Sequence, residues 1–186
     1  MFIQTESTPN PATLKFLPGC TVLEEGAADF PNAASAAASP LATRLFEIPE
    51  ITGIYLGADF ITVTKSNGEW HHLKPMILGA IMEHFTSGRP VMLAEGGSAG
   101  GHVYDADGDD GEIVAQIIEL LDTKVRPAVA QDGGDIVFRS FSDGIVYVHL
   151  QGSCAGCPSS TITLKNGIEN MLKHYIPEVD EVRQVS

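Results

Sequence analysis

Basic residues, cysteines and long apolar runs are all scarce in this chain, and each shortage closes off a class of function. Only 11 Lys and Arg stand against 24 Asp and Glu across 186 residues, a formal charge of −13. Phosphate contacts need clustered cations, so this balance argues against non-specific binding to nucleic acid or to an anionic membrane surface. No apolar run approaches the ~20 residues of a membrane span. Three cysteines, an odd count dominated by one close pair, do not make a disulfide framework; they fit thiols kept reduced and used chemically. The first residues, Met1 to Glu6, show no basic segment leading into an apolar core, so the expected compartment is the cytoplasm, with a mature organellar form as the alternative.

What remains is the composition of a globular protein, 44% hydrophobic and 19% charged. Residues 2–6 and 13–17 read as strands around the rigid Pro9-Asn10-Pro11 turn. The Ala-rich stretch 26–39 reads mostly as loop. Ser39-Pro40 is an N-cap followed by proline at the first helical position, and Leu41, Leu45 and Ile48 form a helical stripe ended by Pro49. Residues 53–65 read as a hairpin around Gly57-Ala58-Asp59. Leu73 to Phe85 has helical periodicity and stops at Ser87-Gly88.

Residues 94–111 are dominated by Gly, Asp and Ser with no period. They are expected to be a flexible acidic linker, long enough to hold its ends about 23 Å apart. The domains are thus expected at 1–93 and 112–186. The second opens with an amphipathic helix, Glu112 to Val125, kinked or ended by Pro127. Two strands follow, Asp135–Phe141 and Ile145–Leu150, around Ser142-Asp143-Gly144, a strong hairpin signal. A helix from Ser159 to Tyr175, with Leu164, Ile168, Met171, Leu172 and Tyr175 on one face, and a last strand, 179–185, complete the chain. The expected fold class is α+β, two small domains each with a short sheet and helices packed on it.

The chemistry concentrates at Gly152-Ser153-Cys154-Ala155-Gly156-Cys157-Pro158, on the connection from a strand into a helix start. Cys-x-x-Cys spacing lets both sulfurs face one ion or cluster, with small residues between them to let the backbone curl. The open helix start favours the thiolate, the ligating form. A tetrahedral zinc or an iron–sulfur cluster takes four protein ligands, and one copy of this pair supplies two. The simplest completion is a second copy across a two-fold axis. Such a shared, exposed cluster suits delivery. The main rival is a thiol–disulfide redox pair, but the order helix, hairpin, cysteine pair, helix, strand is read as lacking that motif's strand–helix–strand frame. A structural zinc site or an incidental pair also remains open.

Other features are weaker. Asp105-Ala106-Asp107-Gly108-Asp109-Asp110 opens like a calcium loop but has Asp110 where glycine is required and Gln116 where a glutamate is required. His71 and His72 point to opposite faces if on a strand, and His149 alternates with apolar neighbours. No nucleophile–base constellation emerges, so no enzyme class is suggested.

The motifs Asp132-Gly133-Gly134-Asp135, Gly152 to Ser160, and Thr163-Leu164-Lys165-Asn166-Gly167-Ile168-Glu169 closely resemble the C-terminal domain of NifU, as found in Nfu-type iron–sulfur cluster scaffold and carrier proteins. Thr8 to Phe16, Ser39-Pro40-Leu41-Ala42, Leu45-Phe46 and Asp59 to Lys65 resemble the companion Nfu N-terminal domain. The resemblance implies a non-enzymatic carrier that binds a [4Fe–4S] cluster between two protomers through Cys154 and Cys157. It further implies an upstream cluster donor and apo iron–sulfur proteins as recipients. The N-terminal domain carries no ligand set and is expected to contact targets or partners. Cys20 departs from the pattern, since relatives often have lysine there; it is expected not to be a ligand.

Overall fold

The computed structural model describes residues 1–93, 110–155 and 158–185. The chain divides into two compact units, Met1–Gly100 and Gly101–Ser186. Most of the expected linker lies outside the described residues, as do Asp105 to Asp109 of the calcium-like stretch.

The first unit is built on a five-stranded antiparallel sheet of order β1-β2-β5-β4-β3: β1 Gln4–Ser7, β2 Thr13–Leu17, β3 Ala28–Phe30, β4 Ile51–Leu56 and β5 Ile61–Lys65. Leu14 and Phe16 of β2 and Ile61 and Val63 of β5 alternate onto one face, as a half-buried strand requires. Two helices, α1 Pro40–Phe46 and α2 Trp70–Ser87, contribute Leu41, Leu45, Leu73, Ile77 and Ile81 to the same core. Each such fully buried aliphatic side chain contributes about 1.5–3 kcal/mol. Ser39 caps α1 as expected, its Oγ accepting from the Ala42 amide at 3.1 Å.

Three expectations for this unit need correction. The Ala-rich stretch is not mostly loop: Ala28–Phe30 pairs with β4, and Ala33–Ala38 forms a 3₁₀ helix capped by Asn32, whose Oδ1 accepts from the Ser35 amide at 2.9 Å. The partner strand, not local propensity, makes β3. Helix α2 starts at Trp70, three residues early, with Pro75 inside it. The Trp70 indole N–H donates to the Pro11 carbonyl at 3.0 Å and Lys65 lies over its ring, which anchors the extra turn from outside the helix. His71 and His72 therefore sit in the first turn of α2, ring centroids 4.0 Å apart, and not on a strand.

The second unit has a three-stranded sheet of order β6-β7-β8: β6 Gly134–Ser142, β7 Ile145–Gly152 and β8 Glu181–Gln184. Asp143 and Gly144 connect β6 to β7 with φ of 52° and 77°, and Ser142 faces Ile145. Positive φ at both central residues defines the tight turn whose twist matches the paired strands. Helix α3 (Gly111–Leu120), a π-helical turn (Leu121–Val125) and α4 (Arg126–Gln131) run on without a break. Pro127 does not end the helix. The widened turn before it removes the need for a regular hydrogen bond from a residue that has no amide proton.

Helix α5, Pro158–Tyr175, connects β7 to β8, and these two strands are parallel, Val146 facing Val182. The second unit thus does contain a strand–helix–strand frame around the cysteine connection, contrary to the reading from element order. Tyr175 is also displaced from its expected core position: it is exposed, with Lys124 Nζ 5.5 Å from its ring centroid. Ile168 and Leu172 of α5 pack with Ile117, Leu121, Ile136, Phe138, Val148 and Leu150.

Candidate functional site

The turn that follows α4 and the loop that follows β7 are laced together. Residues 132–134 close α4, with the Asp132 amide on the Val129 carbonyl at 3.1 Å and the Gly133 amide on the Ala130 carbonyl at 3.0 Å. Gly133 has φ 77°, a conformation that glycine adopts without strain. Gly134 then opens β6 opposite Gly152, the last residue of β7. The Ser153 amide donates to the Gly133 carbonyl at 3.2 Å, and the Ser153 hydroxyl donates to the Asp132 carbonyl in a short bond.

Cys154 is next. Its Sγ lies against the backbone of Gly134, where a Cβ would come within 2.6 Å of the sulfur and 3.1 Å of the Cys154 amide nitrogen. The side chain is 6% exposed and belongs to the core cluster of the unit. The Ala155 amide returns to the Gly152 carbonyl at 3.1 Å, tightening the turn. From α5, the Thr161 hydroxyl reaches the Cys154 carbonyl at 3.5 Å. The second cysteine of the pair, Cys157, lies outside the described residues.

Below the turn, Asp135 is buried and bound by Arg126 through Nε and Nη2. Asp122, in the π-helical turn, accepts from Arg126 Nη1 at 3.1 Å. Asp135 Oδ1 also accepts from the Ile136 amide at 2.8 Å. These contacts raise the Arg126 pKa still further above its ordinary value, the Asp135 hydrogen bonds leading. Asp132-Gly133-Gly134-Asp135 entered the sequence reading only as a motif of the resemblance; the residue missed is Arg126, which follows the π-helical turn and binds Asp135.

Among the described residues no three His, Cys, Asp or Glu side chains gather as a metal site. Cys20 is partly exposed and lies in the first unit. His149 is held in the strand, its Nδ1 3.1 Å from the Val185 carbonyl. No helix among the described residues is long and apolar enough to cross a membrane.

Two family models match, one in each unit. Residues 3–88 match the family described as scaffold protein Nfu/NifU N terminal, and residues 117–183 match the NifU-like domain. The whole chain is 54% identical to the human NFU1 iron-sulfur cluster scaffold homolog, mitochondrial, and spans 72% of its length. It is 51% identical to the protein of the same name from Drosophila sechellia, of which it spans 65%. Among solved structures, the NifU-like protein from Saccharomyces cerevisiae is 25% identical over 50% of this chain and 86% of its own, with a TM-score of 0.46. On the two matched domains and the identity that runs along its full length, the chain belongs to the Nfu family of NifU-like scaffold proteins.

Proposed function

We propose that this protein is a carrier of iron–sulfur clusters. It binds a [4Fe–4S] cluster as cargo between two protomers, each supplying Cys154 and Cys157, and passes it to apo-proteins. The observation that carries this reading is the 54% identity, over the whole chain, to a protein named as an iron-sulfur cluster scaffold. The ligand count gives the stoichiometry: a cluster takes four protein ligands and a single copy has one Cys-x-x-Cys pair. A homodimer about a two-fold axis completes the set. In this reading the chain performs no catalysis of its own; residues 1–93 contact donor or recipient proteins, residues 94–111 give reach, and residues 112–186 hold the cargo. The relatives are named as mitochondrial. The chemistry requires only that the thiols stay reduced, which the cytoplasm expected from the sequence also provides.

Anaerobic reconstitution with ferrous iron and sulfide tests this directly. About four irons per dimer are expected. Cys154→Ala or Cys157→Ala abolishes loading, whereas Cys20→Ala leaves it intact. A cluster stable on monomers, or one retained without either pair cysteine, would sink the bridging model.

The parallel β7–α5–β8 frame supports a second reading, a thiol–disulfide pair. It predicts a reversible disulfide between Cys154 and Cys157 and reductase turnover in iron-free protein. Absence of both disposes of it.

A further inference from the structure

A ligand to a cluster shared by two protomers must reach the surface at which they meet, yet the Cys154 side chain is 6% exposed and packed with the core. Its sulfur sits where the side chain of any residue but glycine at position 134 would lie. The same absent Cβ would be 3.0 Å from the Gln151 carbonyl oxygen. The pocket is therefore walled by the backbone of β6 and the end of β7, which pair through Gly134 and Gly152. Ser153 locks the wall with its two bonds to the carbonyls of Asp132 and Gly133.

We propose that Gly134 is a socket that stores the Cys154 thiol in the unloaded protein, and that binding cargo requires residues 153–155 to swing the sulfur out. Gly134 is thus a positioning residue. Its missing side chain sets the balance between a stored and a presenting form, and the Ser153 bonds hold the stored form closed. The stored sulfur contacts its own backbone and core neighbours, so the second protomer's ligands cannot meet it there. Storage also shields one thiol of the pair from oxidants and stray metals while no cargo is present, since reagents need access to the sulfur.

This inference rests on the reading of Cys154 as a cargo ligand, but its test does not use the cargo. In the 186-residue chain carrying Cys20→Ser and Cys157→Ser, Cys154 is the sole thiol. Its alkylation by N-ethylmaleimide is expected to be about 100-fold slower than that of a small free thiol, with a rate set by a local opening. Gly134→Ala places a methyl group in the socket and is expected to speed labelling about 10-fold or more; Ser153→Ala, which removes the hydroxyl bond of the lock and keeps the amide bond to Gly133, acts in the same direction but less. Gly144→Ala, which strains the turn at the far end of the same hairpin, serves as the control and leaves the labelling rate within about 3-fold. If Gly134→Ala does not fold, the parent rate and Ser153→Ala still decide the matter. Labelling of the parent at the free-thiol rate, or equal acceleration by Ser153→Ala and Gly144→Ala, would overturn the socket. Slow labelling in a protein that never takes up iron and sulfide would leave the socket standing and remove the carrier reading instead.

Discussion

The Arg126 guanidinium grips the Asp135 carboxylate with two near-parallel hydrogen bonds, Nε to Oδ1 at 2.9 Å and Nη2 to Oδ2 at 2.8 Å. Asp135 is almost fully buried and directly follows Gly134, so this pair sets the floor under the cysteine loop. Removing Arg126 takes the fork from a buried carboxylate, whereas removing Asp135 leaves Arg126 partly exposed and still bound to Asp122. Asp135→Asn, which weakens the charge-assisted fork but leaves the Asp122 pair, is expected to cost about 1.5–3 kcal/mol of second-unit stability. Arg126→Lys, which keeps the charge but loses the fork, costs about 1–2 kcal/mol. Arg126→Met combined with Asp135→Asn should recover part of the loss. The chain's one tryptophan, Trp70, lies in the first unit, so the second is followed by hydrogen exchange of its own peptides.

Features that depend on neighbours in the chain were legible in the sequence. Ser39-Pro40 caps a helix, Ser87-Gly88 ends one with Gly88 at φ 69°, and Asp143-Gly144 turns a hairpin, each through chemistry contained in a few residues. Features that depend on distant partners were not. β3 exists because β4 receives it, and the helix continues past Pro127 because a π-helical turn precedes it. Parallel pairing of β7 with β8 cannot be read from element order, because α5 can return the chain to either edge in either sense. The same limit applies to the site. Spacing placed two sulfurs on one connection, but only the packing of the loop on Gly134 shows that Cys154 is turned inward.

The β6–β7 turn offers a contrast between adjacent positions. Gly144 has φ 77°, and a Cβ there would also come within 2.5 Å of the Asp180 carboxylate, while Asp143 already pays for its own φ of 52°. Gly144→Ala is expected to destabilise the second unit by about 1–3 kcal/mol. Asp143→Gly relieves strain but loosens the unfolded chain, so its net effect stays within about 0.5–1 kcal/mol. Denaturant titration followed by exchange at the β6 and β7 peptides separates the two; equal effects would contradict the turn geometry.

His84 of α2 is buried with its Nε2 lacking a partner in hydrogen-bond geometry among the described residues. Desolvation, helped by the nearby Arg89 charge, lowers its pKa below the ordinary histidine value. A folded-state pKa below the unfolded one means that the unfolded chain takes up the proton first. The stability tied to neutral His84 is therefore complete above the unfolded pKa, ~6.5, and is lost as pH falls through that value towards the lower folded one. First-unit stability, read by Trp70 fluorescence, should fall more steeply between about pH 7 and 5 in the parent than in His84→Gln. Identical slopes would show that His84 contributes no linkage.

Glu169 ties α5 to the edge strand of the second unit. Its Oε2 accepts from the Val182 amide at 3.1 Å and its Oε1 from Lys173 Nζ at 2.9 Å. The Lys173 hydrogen bond, then the Val182 amide, lower its pKa from the ordinary glutamate value. The sign is opposite in origin to that of His84 but similar in direction: the ionised form is favoured by folding, so the tie is intact above the unfolded carboxylate pKa and loosens as pH falls below it. Because the carboxylate is near the surface, the global effect is small and the local one is the better measure. Glu169→Gln keeps an acceptor for the Val182 amide and is expected to change exchange at Val182 little. Glu169→Ala removes it and should speed exchange there severalfold while leaving Val148 of β7 unaffected. Only a direct tie to β8 confines the change to that strand; equal acceleration at both sites would mean that Glu169 acts through the fold as a whole.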